Sequence, residues 1–163
     1  MLDRPATPAR SLPSDGTSAS SSALDQLSIG GDAVWLVARL CIGGIFVFSG
    51  FGKLTGLEGF AASLAKNGVP MAEVMAVVGA AVESFGGLAI VLGLQTRYAA
   101  LLMAAFTVSA TLISHRFWEF QDVAMFRQQS VHFMKNVAIF GAFLLLFVQG
   151  GGRLSIDGWR RAR

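Results

Sequence analysis

The segment from residue 33 to 53, AVWLVARLCIGGIFVFSGFGK, constrains the fold of this chain more than any other. About 20 mostly apolar residues are the length that a helix needs to cross a bilayer. At 100° per residue, five of its residues share one stripe of the helix: Arg39, Gly43, Phe46, Gly50 and Lys53. The rest of the surface is apolar and suits lipid. Because a lone guanidinium at that depth costs about 3 kcal/mol or more, neighbouring helices must supply Arg39 with a partner.

The composition is that of an integral membrane protein. Hydrophobic residues make up 53% of the 163 residues and charged residues 14%, with a mean hydropathy of +0.58, whereas a soluble domain carries roughly a quarter charged residues. The net charge of +3 is small and lies at the membrane flanks, so it indicates topology and headgroup contact and excludes nucleic-acid binding. A single cysteine, Cys41, excludes an intramolecular disulfide or a Cys-x-x-Cys pair. The two histidines lack a third ligand at short spacing, so no metal site is predicted.

Four apolar segments predict an all-α fold, an integral membrane bundle of four transmembrane helices. The predicted spans cover residues 33–51, 71–92, 97–115 and 132–150. Residues 56–66 carry apolar side chains at helical spacing beside charges, and they predict a short amphipathic helix that lies in the interface after the first span.

The ends of the chain differ from this membrane domain, which is assigned to residues 32–158. Residues 1–31 are rich in Ser, Pro, Asp and Gly and predict a disordered tail, and residues 159–163 form a basic C-terminal tail. Lysines and arginines near the spans are equally divided between the two sides. If Lys53 and Lys135 are discounted because they fall at span ends, the count favours a cytoplasmic location for both termini.

An ion pair between Arg39 and Glu83 is predicted inside the bundle. A rise of 1.5 Å per residue places Arg39 roughly 10 Å and Glu83 roughly 13 Å from the side where the termini lie. Both residues lie on glycine-notched faces of neighbouring antiparallel helices, and paired charges inside a membrane are tolerated when each satisfies the other. The pair either fixes helix register, which is the favoured role, or takes part in a proton or ligand relay.

A second polar cluster is predicted at the opposite side of the membrane, where spans one and three end and span four begins. Its members are Lys53, His115, His132, Lys135 and Asn136. A cationic, hydrogen-bonding pocket beside apolar walls suits a molecule with a polar head and a lipid-soluble tail. Taken singly, the lysines are typical of side chains that extend to headgroups, and His115 is typical of a helix C-cap. The convergence of all five favours binding, with haem ligation by the two histidines as a weaker alternative.

These residues form an ordered pattern that resembles the DoxX family over about residues 33–158. The pattern consists of Arg39, Gly43-Gly44, Phe48-Ser49-Gly50 and Lys53, then Glu83, Gly86-Gly87-Leu88 and Leu92-Gly93-Leu94, then Gln95-Thr96-Arg97 and Ala99-Ala100, then Lys135-Asn136 and Gly141, and the closing GGGRLSID. The resemblance implies a small four-helix protein of the bacterial cytoplasmic membrane. It also implies a link to quinone-dependent oxidoreductases, such as thiosulfate:quinone oxidoreductase subunits, and to membrane complexes that handle oxidative stress. Related membrane folds that perform thiol redox chemistry carry paired cysteines, which this chain lacks.

The first functional hypothesis is therefore a redox-associated membrane subunit that binds quinone or quinol through the second cluster, with electrons supplied by a soluble or membrane oxidoreductase partner. The resemblance assigns no catalytic residue, and whether the subunit is itself an enzyme is left open. The alternative is a non-catalytic scaffold or assembly factor for a partner redox enzyme. Passage of a small solute through the bundle is a weaker third interpretation.

Overall fold

The computed structural model describes the backbone from residue 15 and the side chains from residue 30, in both cases to residue 163. It contains six α-helices and one 3₁₀ turn over these residues. In chain order the elements are α1 (Asp15–Thr55), α2 (Leu57–Lys66), α3 (Ala72–Leu92), α4 (Thr96–Ser114), the 3₁₀ turn Phe117–Glu119, α5 (Val123–Gln149) and α6 (Ile156–Arg161).

The predicted all-α membrane fold is confirmed. Over the described residues, four helical segments are long and apolar enough to cross a membrane: Gly30–Thr55, Ala72–Leu92, Thr96–Glu119 and Val123–Gln149. The short α2 follows the first of them, as the sequence predicts. The chain is therefore an integral membrane protein with four candidate spans.

Two helix boundaries differ from the prediction. The first helix begins at Asp15, after the last proline of the tail, Pro13, so it includes part of the segment for which no regular structure was predicted. Residues 1–14 lie outside the described residues, and their disorder stays a prediction. The fourth span begins at Val123 instead of residue 132, because the Asp122 side chain caps it by accepting a hydrogen bond from the Met125 N–H at 2.9 Å.

Glycines set the register between α1 and α3. A Cβ added at Gly50 would lie 2.8 Å from the Ser84 nitrogen, and one added at Gly43 would lie 2.8 Å from the Gly87 carbonyl oxygen. Small residues allow such close backbone contact in membrane helices. The Lys53 end of α1 is therefore level with the middle of α3, and the Arg39 end of α1 is level with the C-terminal end of α3.

The other helices complete the bundle around this pair. Gly86 of α3 leaves room for the Met103 sulfur of α4, and Phe60 of α2 packs over Gly79 of α3. The buried core lies between α1, α3, α4 and α5, with Phe46, Ile90, Met103, Phe143 and Leu146 among its members.

Short connections define the two sides of the membrane domain. The α6 side holds the turn between α3 and α4 and the residues from 150 onward. The α2 side holds residues 56–71 and the connection from His115 to Asp122. The tight turn on the α6 side needs a left-handed backbone at Gly93 (φ 67°), which glycine adopts without a Cβ penalty.

Candidate functional site

Most of the predicted polar cluster lines one cavity on the α2 side of the bundle. The cavity has a volume of about 490 Å³, within the range of about 300–1,000 Å³ that is typical of small-molecule sites. Its polar wall includes Lys53, Glu83, His115, Lys135 and Asn136. Its apolar wall includes Phe46, Phe60, Phe106, Ile113 and Ile139. Four of the five residues predicted for this pocket therefore line the same space.

Lys53 and Glu83 form an ion pair within this cavity. The Lys53 ammonium donates to Glu83 Oε2, and its Nζ also lies 3.3 Å from Ser49 Oγ and 5.2 Å from the centre of the Phe60 ring. The Glu83 side chain is only 4% exposed, whereas that of Lys53 is 29% exposed. The carboxylate therefore has a buried charge partner, and the ammonium faces the cavity.

His115 and Asn136 are each held by a hydrogen bond to a neighbouring residue. His115 Nδ1 lies 2.8 Å from the Gln129 amide oxygen, and Asn136 Nδ2 donates to Thr111 Oγ1 at 2.9 Å. Because an amide oxygen can only accept, Nδ1 carries the hydrogen and Nε2 is the nitrogen left for a ligand.

His132, the fifth predicted residue, lies beside the cavity and not in its wall. Its ring stacks on His115 with the ring centres 5.1 Å apart and an interplanar angle of 21°, and its Nδ1 lies 3.5 Å from Lys135 Nζ. Stacked rings present their faces to each other, so this arrangement does not place two ring nitrogens around one haem iron.

The predicted Arg39–Glu83 ion pair is wrong. Glu83 pairs with Lys53, and Arg39 instead donates to the Leu154 carbonyl oxygen. The guanidinium lies against Gly93, which is ten residues and about 15 Å along α3 from Glu83. Equal insertion of the two helices would place Arg39 level with Glu83, whereas the glycine contacts shift α1 along α3.

Arg39 is anchored by the segment that follows the last span. It is 1% exposed, and its Nη2 binds Leu154 while the Trp35 indole N–H donates to the Gly150 carbonyl at 2.9 Å. Among the described residues, its Nε and Nη1 have no hydrogen-bond partner. The Asp157 carboxylate interacts with it electrostatically, without a direct salt bridge.

Asp157 joins α6 to the turn between α3 and α4. Its carboxylate accepts hydrogen bonds from the Gln95 N–H (2.9 Å), the Thr96 N–H (2.7 Å) and the Thr96 hydroxyl (2.8 Å), and its own N–H donates to the Gly93 carbonyl at 3.0 Å. Burial raises the pKa of Asp157, but the bonds from Thr96 and Gln95 and the charge of Arg161 outweigh it, so the pKa lies below its ordinary value. The closing GGGRLSID sequence, residues 150–157, is thereby fastened to the turn between α3 and α4, and we call this segment the α6 latch.

Two pairings that organise the bundle were not predicted from the sequence: Lys53 with Glu83, and Asp157 with Thr96. The signal for the first was the position of Lys53 at the far end of the same stripe as Arg39. For the second, the signal was an acidic residue inside the closing motif and a threonine at the start of a span.

Chemically, the cavity combines a cation, an acid, a histidine and an amide with aromatic and aliphatic walls. Such a set can bind an oxygen-bearing ring by hydrogen bonds and bury a hydrocarbon chain. The α6-side latch holds its charges in hydrogen bonds to backbone and is a structural anchor.

Comparison with known proteins agrees with this architecture. The DoxX family model matches residues 34–116. The "Inner membrane protein YphA" of Escherichia coli K12 is 36% identical over 122 residues, which cover 75% of this chain and 86% of that protein. The "Inner membrane protein YqjF" of the same organism is 38% identical over 122 residues, covering 75% and 88%. No solved structure matches the chain.

The family match begins at the start of the first span and ends just beyond α4, and both relatives extend the similarity to three quarters of the chain. The chain belongs to the DoxX family of integral membrane proteins.

Proposed function

We propose that this protein binds a quinone or quinol in the α2-side cavity and acts as the quinone-associated subunit of a membrane oxidoreductase system. One observation carries the proposal: polar side chains from three helices and from the C-cap of α4 line one cavity whose remaining walls are largely apolar. They are Lys53 of α1, Glu83 of α3, Asn136 of α5 and the capping residue His115. A quinone has a polar ring and an isoprenoid tail, and this wall composition supports both. Bound there, it would supply two-electron chemistry coupled to protons.

The donors of the cavity fit the oxygens of such a ring. A lysine ammonium has three N–H donors, and Glu83 and Ser49 accept two of those of Lys53, so one is left for a ligand oxygen. Asn136 uses one of its two amide hydrogens on Thr111 and has a second for a ligand. His115 Nδ1 is engaged with Gln129, so Nε2 is the ring nitrogen left for a hydrogen bond with a ligand.

His132 is left out of this proposal because it does not line the cavity. Lys135 is retained at the rim, where its side chain is exposed. Electrons would reach the site from a partner oxidoreductase, because the chain has a single cysteine and so no dithiol of its own.

We further propose an inner-membrane location with both termini in the cytoplasm. Both relatives are named inner membrane proteins. Lys53 and Lys135 line the cavity, so the basic residues left for topology are Lys66, Arg116 and Arg127 on the α2 side against five arginines on the α6 side. A C-terminal fluorescent-protein fusion that folds only in the cytoplasm tests this: fluorescence is expected, and a dark fusion with intact membrane insertion would reverse the orientation.

The binding proposal is tested by purifying the protein in mild detergent, extracting bound quinones, and titrating the apoprotein with a short-chain quinone by calorimetry. Because a hydrogen bond to a charged group is worth about 1.5–3 kcal/mol, Lys53→Met is expected to weaken binding about 10-fold to 100-fold. His115→Ala is expected to weaken it as well. The matched controls are Lys66→Met, outside the cavity, and His132→Phe, which keeps a flat ring against His115.

Absence of quinone binding by the unmodified protein would overturn the proposal and favour a scaffold that docks a partner redox enzyme. Equal losses in the cavity variants and in the controls would place the ligand elsewhere.

A further inference from the structure

A second groove lies on the α6 side, far from the α2-side cavity. It has a volume of about 280 Å³ and lies between the start of α4 and helix α6. Three arginines from these two elements line it: Arg97, Arg160 and Arg161. The Arg97 side chain lies over the backbone of Gly150, since a Cβ built there would be 3.5 Å from the Arg97 Nε.

The three arginines are not used in salt bridges within the part of the chain that the structure describes. Neighbouring arginines are engaged, because Arg153 pairs with Asp32 and the Arg163 guanidinium stacks 3.7 Å above the Trp159 ring. The one acid in the groove, Asp157, is held by three hydrogen bonds from Gln95 and Thr96. The groove therefore has an excess of two positive charges.

The groove continues into a lipid-facing strip of α4. Tyr98 lines the groove and is 74% exposed, and Leu101 and Leu102, one turn further along the same face, are about half exposed. Trp159 of α6 is also exposed, as expected for an indole at a membrane interface. A ligand in this groove would meet guanidinium groups at one end and an apolar helix face at the other.

We infer that this groove binds the phosphate headgroup of an anionic phospholipid, with one acyl chain along the Tyr98–Leu102 face of α4. Arginine guanidinium groups match phosphate oxygens in geometry and charge, and basic pockets beside membrane spans are typical sites for anionic headgroups. The apolar strip distinguishes a lipid from a free phosphate, which would have no use for it. A bound lipid would clamp α6 and its latch against the start of α4.

The experiment uses the full chain in detergent and compares dioleoyl phosphatidylglycerol with dioleoyl phosphatidylcholine by native mass spectrometry. The structure predicts preferential binding of phosphatidylglycerol. It also predicts a loss of about fivefold for each single variant Arg97→Gln, Arg160→Gln and Arg161→Gln, and of about 100-fold for the triple variant. The matched control is Arg153→Gln, which removes the same charge on the same side outside the groove.

Helical content and thermal unfolding identify variants that misfold, and the three single variants keep the test valid if the triple variant does not fold. Equal binding of the two lipids, or the same loss in the Arg153→Gln control, would overturn the assignment. Glycerol 3-phosphate serves as the free-anion probe. If it binds as tightly as the intact lipid, the site recognises a soluble phosphate and the lipid assignment fails.

Discussion

The Glu83 carboxylate of α3 pairs with the Lys53 ammonium near the end of α1, ten residues along α3 from the Gly93 backbone against which Arg39 lies. The two basic residues of one α1 stripe thus serve opposite sides of the membrane domain. Lys53 belongs to the cavity on the α2 side, and Arg39 belongs to the latch on the α6 side. A single helix face therefore links the candidate binding site to the structural anchor.

Loss of one partner of the Lys53–Glu83 pair is expected to destabilise the bundle. Removing one member of a buried pair costs about 3–5 kcal/mol, and we expect about 1–3 kcal/mol for Glu83→Ala because Lys53 keeps partial access to solvent. Thermal unfolding in detergent measures the change. The double variant Lys53→Met with Glu83→Met should recover most of the loss, since no unpaired charge is left. A double variant as unstable as the single one would contradict a direct pairing.

Substitution of Arg39 by methionine is expected to release the closing segment. The hydrogen bond from its guanidinium to the Leu154 carbonyl would be lost, and a charged hydrogen bond is worth about 1.5–3 kcal/mol. Amide hydrogen exchange over residues 150–158 should therefore rise about tenfold or more. Exchange in the middle of α3 should change less. Arg153→Gln, on the same side but exposed, is the control, and an equal rise in that variant would argue against an anchoring role for Arg39.

Gly50→Ala is expected to separate α1 from α3. The added Cβ would lie 2.8 Å from the Ser84 nitrogen, so the backbones must move apart, at about 1–3 kcal/mol as for other overpacked cores. Gly44→Ala on the same helix is the control, because its Cβ would meet nothing within 4 Å. Unfolding by titration with a denaturing detergent should show a loss for the first variant only. Equal stability of the two variants would mean that the α1–α3 contact is looser than described.

The α6 latch is expected to weaken in acid. The pKa of Asp157 is lower in the folded protein than its ordinary value of about 3.9, so ionised Asp157 stabilises the latch at neutral pH. That contribution is fully present above the unfolded pKa and is lost as the pH falls below it through the folded pKa. Proteolysis of the C-terminal segment with an acid-active protease should therefore accelerate as the pH falls below about 4.

Asp157→Asn removes the titrating group, so the C-terminal segment of this variant should be cleaved rapidly at every pH tested. A pH dependence that persists unchanged in the variant would assign the effect to another residue. Thr96→Val removes only the hydroxyl donor to Asp157, so its cleavage rate should lie between those of the unmodified protein and of Asp157→Asn.

The fold was predictable because the bilayer limits what an apolar chain can do. Segments of about 20 apolar residues have one stable form in hydrocarbon, so the number of spans followed from counting. The stripe from Arg39 to Lys53 could also be predicted from the sequence, since helical pitch alone decides which residues share a face. The start of α5 was misplaced because residues 123–131 are too polar to indicate a span, although Asp122 caps a helix there.

The cavity was predicted in large part because the assigned spans put most of its polar residues on one side of the membrane. Lys53, His115, Lys135 and Asn136 had to lie at similar depth once the spans were assigned, and the structure places them around one space. His132 was included wrongly in its wall: it shares a helix face with Lys135 and Asn136 but lies about one turn nearer the start of α5, where its ring stacks on His115.

The amino-acid sequence by itself determined the membrane class, the number of spans, the faces on which charge and glycine lie, and the family. Only the tertiary structure decided which charges meet. Depth in a bilayer is known to within a helical turn or two, whereas an ion pair needs atoms within 4 Å, and the slide of α1 along α3 is set by backbone contacts at Gly43 and Gly50. Those contacts place Glu83 beside Lys53, and they place Arg39 against the Leu154 carbonyl, more than a hundred residues later in the chain.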